Sequence, residues 1–266
     1  MWTYYISIFT NILLVIYAYV GNFALAIVLF TIVIRLATHP MMAAQIKSTA
    51  AMTAMTQSEE YLKMQKKYKD DKEKLQQEQL RMYQEKGINP LGGCLPTLIQ
   101  FPIIIGLYQS ITQALGTSPL QLLQLMRSMS IFPWMSSVFP AVKLSELIPL
   151  HSQFLWMNLG QPEMIPLPFI TETFGFGLPL LAIIVGITTY IQSKLTMPPP
   201  AANPGDQSAQ MTQMMGIYMP IMLFWFALTF SSGLSVYFIT SNLIGILQYA
   251  LLGKVNWRNL FGGKKK

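Results

Sequence analysis

Apolar residues in this chain come in stretches too long for a soluble core, separated by short polar clusters. The first runs from Tyr4 to Thr38. As a single helix rising about 1.5 Å per residue it would reach roughly 50 Å, well past the ~30 Å hydrocarbon core of a bilayer. Gly21-Asn22 is the natural break. Residues 1–21 are expected to form a helix resting in the outer interface, with Tyr4, Tyr5, Tyr17 and Tyr19 at headgroup level. A short sixth span is the alternative. Residues 22–46 then form the first transmembrane helix. Later apolar stretches predict spans at 91–115, 174–195, 211–230 and 233–252, the last two joined by a turn at Ser231-Ser232-Gly233.

The intervening segments differ in character. Within residues 47–90, Gln57–Lys86 is rich in Lys, Glu and Gln. Their sparse apolar positions, Met55, Leu62 and Tyr68 in one arm and Leu75 and Met82 in the other, recur at spacings near seven. That pattern fits two antiparallel helices with a turn near Asp70, or else one solvated charged helix without a partner. Residues 116–173 form a long loop broken by prolines and carrying Trp134 and Trp156, expected to hold short interfacial helices. Residues 196–210 read as a polar linker and 253–266 as a basic tail. The expected fold class is an all-α integral membrane protein: five transmembrane helices, an N-terminal interfacial helix and a cytoplasmic helical hairpin.

Charge supports this layout. Only 11% of residues are charged, against about a quarter in a soluble domain. No Asp, Glu, Lys or Arg occurs in 87–126, 173–193 or 207–253. Arg35 aside, 15 basic residues fall in the hairpin, at Lys194 or in the tail, while Arg127 and Lys143 alone fall in the long loop. The positive-inside rule then puts hairpin, linker and tail in the cytoplasm and the N-terminus outside. The single cysteine, Cys94, excludes an intrachain disulfide and is not at a lipidation site. No charged n-region of a signal peptide precedes the first apolar stretch.

Arg35 is the exception inside a span. It lies 13 residues from Asn22 and 12 from Lys47, near mid-depth. A charge there costs at least about 2.5–3.5 kcal/mol on the mild insertion scale, and no span contains an acid to balance it. Arg35 must face water, backbone carbonyls or something outside this chain, unless it is a structural arginine snorkelling to the interface. Thr31 and Thr38 share its helix face. Gln100, Thr188, Gln192, Tyr237, Ser241 and Asn242 are candidates to line a hydrated cavity with it, though each taken singly is better read as an interhelical hydrogen bond. His39 and His151 stand apart. No nucleophile–base pair, phosphate loop, metal motif or intramembrane carboxylate is present, so an enzyme, a proton-coupled transporter and a cofactor site find no support.

Several motifs fit one family. These are Val20-Gly21-Asn22, Arg35, the basic hairpin, NPLGGCLPTLIQFPIIIGLY at Asn89–Tyr108, FLWMNLGQPE at Phe154–Glu163 and GLSVYFITSNLIGILQ at Gly233–Gln248. Along nearly its whole length the chain resembles the YidC/Oxa family of membrane protein insertases, in its short bacterial form. The resemblance implies a five-helix core in the plasma (inner) membrane, with a groove open to cytoplasm and lipid, closed on the outer side, and Arg35 within it. It differs from the family in having Tyr237-Phe238 where Tyr-Trp is frequent, so an indole donor is missing from the groove's aromatic wall.

The function that follows is moving short hydrophilic segments of nascent membrane proteins across the bilayer through a wet, cationic groove, with the apolar segment released into lipid and no cofactor required. Met41, Met42, Met52, Met55 and Met64 would offer adaptable contacts to incoming chains, or simply pack. The Lys-rich tail is a candidate contact for the ribosome, or for anionic lipid. A larger protein translocon is a further candidate partner. The competing readings are a small anion channel or transporter lined by Arg35, and a structural assembly factor.

Overall fold

The computed structural model describes residues 1–68, 71–88, 95–116, 118–130, 150–169, 177–196 and 207–253. Among these the chain is almost wholly helical: α1 (Trp2–Val20), α2 (Phe23–Ala37), α3 (His39–Thr56), α4 (Glu59–Lys67), α5 (Lys72–Glu85), α6 (Leu95–Ala114), α7 (Pro119–Ser130), α8 (Leu180–Thr196), α9 (Gln207–Thr229) and α10 (Ser232–Leu251). A two-stranded antiparallel ribbon, β1 (Gln153–Phe154) and β2 (Met157–Asn158), interrupts the series. Expectations resting on Asn89–Cys94, on 131–149, on the linker 197–206 and on the tail 254–266 lie outside the described residues.

Gly21-Asn22 breaks the first apolar stretch as its chemistry requires. Gly21 takes the left-handed conformation at φ 68°, and its N–H returns to the Tyr17 carbonyl at 2.7 Å. Asn22 then caps α2 by accepting from the Leu25 amide at 3.2 Å. The two-residue turn folds α1 back on α2, with Tyr17 against Phe23 and Phe9 against Phe30 at ring separations of 5.8 and 5.6 Å. The opposite flank of α1 lies on α6. There Tyr5 covers Gly106, Ser110 donates to the Ile6 carbonyl, and the Trp2 indole donates to Gln109. α1 is thus wedged between α2 and α6. Its small polar residues are buried: Ser7 and Thr10 donate to carbonyls one turn back, and the Asn11 amide NH2 donates to the carbonyls of Ser7 and of Ser128 on α7, while its side-chain oxygen has no partner among the described residues.

The expected span at 22–46 falls on two helices, α2 and α3, bent by 63° relative to one another. Pro40 supplies the reason. It has no N–H to return to the Leu36 carbonyl, its ring crowds the preceding turn, and it restricts His39 as well. Arg35 therefore stands in the last turn of a 15-residue helix, not midway along a longer one. α1 and α10 are each long and apolar enough to cross a bilayer, as is the bent pair α2–α3 taken together; α8 and the part of α9 from Gly216 to Thr229 are shorter apolar helices.

In order around an arc the helices run α6, α1, α2, α10, α8, α9, each packed on the next. α6 and α9, the ends of the arc, do not pack along their lengths; Tyr108 and Phe230 meet at the end of the bundle that carries the ribbon, with ring centroids 4.7 Å apart. Below that contact the described parts of α6 and α9 are not packed on one another. Leu13, Leu14, Phe23, Ile27, Phe30, Leu107, Ile111 and Leu159 form the fully buried centre.

At the opposite end α4 and α5 form the expected antiparallel hairpin, capped by Ser58 and Asp71. Its seam differs from the expected one in the first arm, where Tyr61 replaces Leu62, and gains Tyr83 in the second. Tyr61 and Tyr83 are buried with Met55 and Met82, while Leu62 and Tyr68 are only half-buried. Leu75 and Met82 are buried as expected. The ion pairs of the hairpin are exposed and contribute little.

Candidate functional site

α10 gives a ruler for depth. Ser241 lies at the centre of its 20 residues, about 14 Å from the ribbon end at 1.5 Å per residue. Arg35 meets it there. The Ser241 hydroxyl accepts from both Nε, at 3.1 Å, and Nη2 of the guanidinium. Arg35 is 9% exposed, so its charge is held deep in the bundle. Among the described residues it makes no ion pair, and its Nη1 has no protein acceptor and is not enclosed. A guanidinium offers five N–H donors. One serine hydroxyl leaves most of them free for water or a guest.

The face of α10 that receives Arg35 repeats every turn. Tyr237, Ser241 and Gly245 stand at i, i+4 and i+8, with Gln248 beside them. The Gln100 amide on α6 donates to the Tyr237 hydroxyl and ties that ring to α6. Gly245 is needed by its neighbours: a methyl group there would overlap the Gln192 amide at 2.5 Å and come within 3.9 Å of Arg35 Nη1. Gln248 donates to the Arg35 carbonyl at 3.3 Å and lies 3.3 Å from His39 Nδ1. It thereby takes up a carbonyl freed by the α2–α3 bend. On the far side of α10, Asn242 donates to Thr188 at 3.1 Å and Thr189 at 2.9 Å, fixing α8.

Of the residues singled out in the sequence, Arg35, Ser241, Tyr237, Gln100 and Gln192 are brought together. Asn242 and Thr188 tie α10 to α8. Thr31 is fully buried and donates its hydroxyl to the Ile27 carbonyl; Thr38 donates to Ile34 at the bend. Phe238 packs beside Tyr237 but within the apolar core, 5% exposed. Gly245, Gln248 and Thr189 were not among the expected residues. The i, i+4, i+7 spacing from Tyr237 and Ser241 is the signal that points to the first two.

A cluster of one cation without an ion pair among the described residues, a phenol, neutral amides and a hydroxyl has the chemistry to bind acidic or polar groups. It has no nucleophile–base pair with which to react them, and no group of His, Cys, Asp and Glu fit for a metal occurs among the described residues.

Comparison with known proteins converges on one group. The family model described as 60Kd inner membrane protein matches residues 15–258. Membrane protein insertase YidC 2 of Bacillus anthracis is 35% identical over 251 residues, covering 92% of this chain and 78% of the relative. Membrane protein insertase MisCA of Bacillus subtilis is 34% identical over 252 residues, covering 92% and 77%. A crystal structure of an active YidC insertase with its first transmembrane domain resolved superposes with a TM-score of 0.54 at 23% identity, over 92% of this chain and 46% of that one.

Proposed function

We propose, from the premise that the chain belongs to the YidC/Oxa family of membrane protein insertases, that the pocket around Arg35 is where the hydrophilic part of a nascent membrane protein is received. The observation that carries this reading is Arg35 of α2, which meets the middle of α10 at Ser241 with that one hydroxyl as side-chain partner and donors left free. Such a group attracts carboxylates and polar backbone in a medium where attraction is strong. It also keeps water in the groove, which shortens the dry distance a tail must cross. The adjoining apolar segment leaves sideways between α6 and α9, whose described parts are not packed on one another, driven by its own burial in lipid.

The core consists of five spans: the bent α2–α3, α6, α8, α9 and α10. Hairpin, linker and tail face the cytoplasm and the ribbon end faces outward, as the distribution of basic residues favours. α1, packed through Trp2 and Ile6 on the ribbon-end half of α6, is read as the interfacial helix. Nascent membrane proteins are the substrates, and the basic tail is the candidate ribosome contact. The test is reconstitution of the purified chain in vesicles with one single-span substrate carrying a short acidic tail. Insertion that depends on Arg35 supports the reading. Insertion unaffected by Arg35→Ala would remove the pocket from the mechanism.

A further inference from the structure

The segment between α7 and α8 is fastened to four helices at the outer end of the groove. The His151 amide donates to Tyr17 of α1 at 3.3 Å. Gly160 lies against Leu115, just past α6. The carbonyls of Leu159 and Gln161 accept from the Gly233 and Ser232 amides at 3.0 and 2.8 Å, so the loop backbone satisfies the first turn of α10. Leu159 is fully buried beside Gly233, where any side chain would run into Ile27, Ile111 and the Leu159 carbonyl.

The fourth fastening is Glu163, the only buried acid among the described residues, 7% exposed. One carboxylate oxygen accepts from the Leu181 amide at 3.0 Å, in the first turn of α8. The other accepts from the Trp156 indole at 2.8 Å. An anion is favoured at a helix N-terminus, and bonds to an ionised acceptor are the stronger kind. Two residues on, Ile165 and Leu178 exchange both backbone hydrogen bonds at 3.0 and 2.8 Å.

We infer that Leu159–Glu163 forms the ion seal of the groove, and that Glu163 is the positioning residue that latches it by joining Trp156 to the start of α8. A groove kept wet for a passing tail needs a barrier beyond it, or the bilayer would leak. Leu159 supplies the apolar stopper and Glu163 holds its far end in place. The inference rests on the wet groove proposed above.

The latch is tested in proteoliposomes by following proton influx driven by a potassium diffusion potential. Glutamine can present one acceptor where glutamate presents two, so Glu163→Gln leaves a donor facing a donor. Loss of a bond to a charged acceptor raises the unlatched population about tenfold or more, and the leak should rise with it. Ile165→Cys with Leu178→Cys, on a Cys94→Ser background, should form a disulfide, since residues so paired lie about 5.5 Å apart. Oxidation of that pair should abolish the Glu163→Gln leak, and reduction should restore it. Trp156→Phe, which removes one donor and leaves the other, should leak less than Glu163→Gln and carries the same test if that variant does not accumulate. Water in the groove is read separately, by labelling a cysteine at Gln192 from the cytoplasmic side with an impermeant maleimide. Vesicles that stay tight while that cysteine is labelled would overturn the latch, as would a leak that oxidation cannot stop. An unlabelled cysteine would overturn the wet groove instead.

Discussion

Arg35 and Ser241 meet across the boundary between α2 and α10, the serine hydroxyl accepting from both Nε and Nη2 of a guanidinium that no carboxylate among the described residues balances. The pairing orients the charge without neutralising it. Arg35→Ala is expected to abolish insertion of acidic-tailed substrates while the protein still accumulates in the membrane, because no buried acid is left behind. Arg35→Lys should keep part of the activity, since it retains the charge but not the fork. Ser241→Ala removes the partner of a charged donor, a loss of about 1.5–3 kcal/mol by precedent, and should lower both melting temperature and insertion. Abundance, melting and insertion of one acidic-tailed substrate across the three variants check these outcomes. A substitution series in which Ala inserts at the wild-type rate would discard the electrostatic role.

The α2–α3 bend should depend on Pro40. In Pro40→Ala the obstacle to a continuous helix is gone, and the 63° angle should relax. Spin labels at Leu29 and Ala51 would then separate by about 5 Å more than in the wild type, from the helical rise alone. Insertion should fall as the Arg35 carbonyl loses its partner Gln248. An unchanged distance would mean that α10 and the hairpin, not the proline, impose the bend.

The hairpin is expected to open before the bundle does. Its buried seam is small, centred on Tyr61, Met55, Met82 and Tyr83. Hydrogen exchange should show low protection across 59–85 compared with α10, with the remaining protection concentrated at that seam. Tyr61→Ala, a large-to-small change costing about 3 kcal/mol in a packed site, should erase it without altering the melting of the bundle. Protection equal to that of α10 would show the hairpin to be docked and structural.

Orientation has its own test. A cysteine at Lys72 should be shielded from impermeant reagent added to whole cells, and one at Lys143 should be labelled. The reverse pattern would invert the topology.

Much of this was legible in the sequence because membrane constraints are severe. Charge-free stretches, the Gly21-Asn22 break and a lone mid-span arginine each have few physical solutions, and Tyr237, Ser241 and Gln100 do converge on Arg35. The bend was hidden because the span was drawn through Pro40 to residue 46 on hydropathy, which is indifferent to a missing N–H. Tyr61 was passed over for Leu62 because a spacing near seven locates a helix face only to within a residue in arms this short. Gly245 matters through what it lacks, which becomes visible only when Gln192 approaches from another helix. Glu163 sits in a loop without periodicity, where nothing in the local pattern reveals that a distant helix start will meet its carboxylate.

The mid-depth position of Arg35 has an electrical consequence. An energised membrane, negative inside, does about 2.3 kcal/mol of work per 100 mV on each elementary charge carried across it. In the proposed orientation and mechanism, with the hairpin end in the cytoplasm, a carboxylate moving outward to the centre of α10 would travel down that gradient and meet an opposite charge. A lysine climbs the same gradient and meets a like one. Voltage and arginine therefore act as a rectifier for cargo. Collapsing the potential should slow acidic tails, relieve basic ones, and narrow the gap between them to what Arg35 alone maintains.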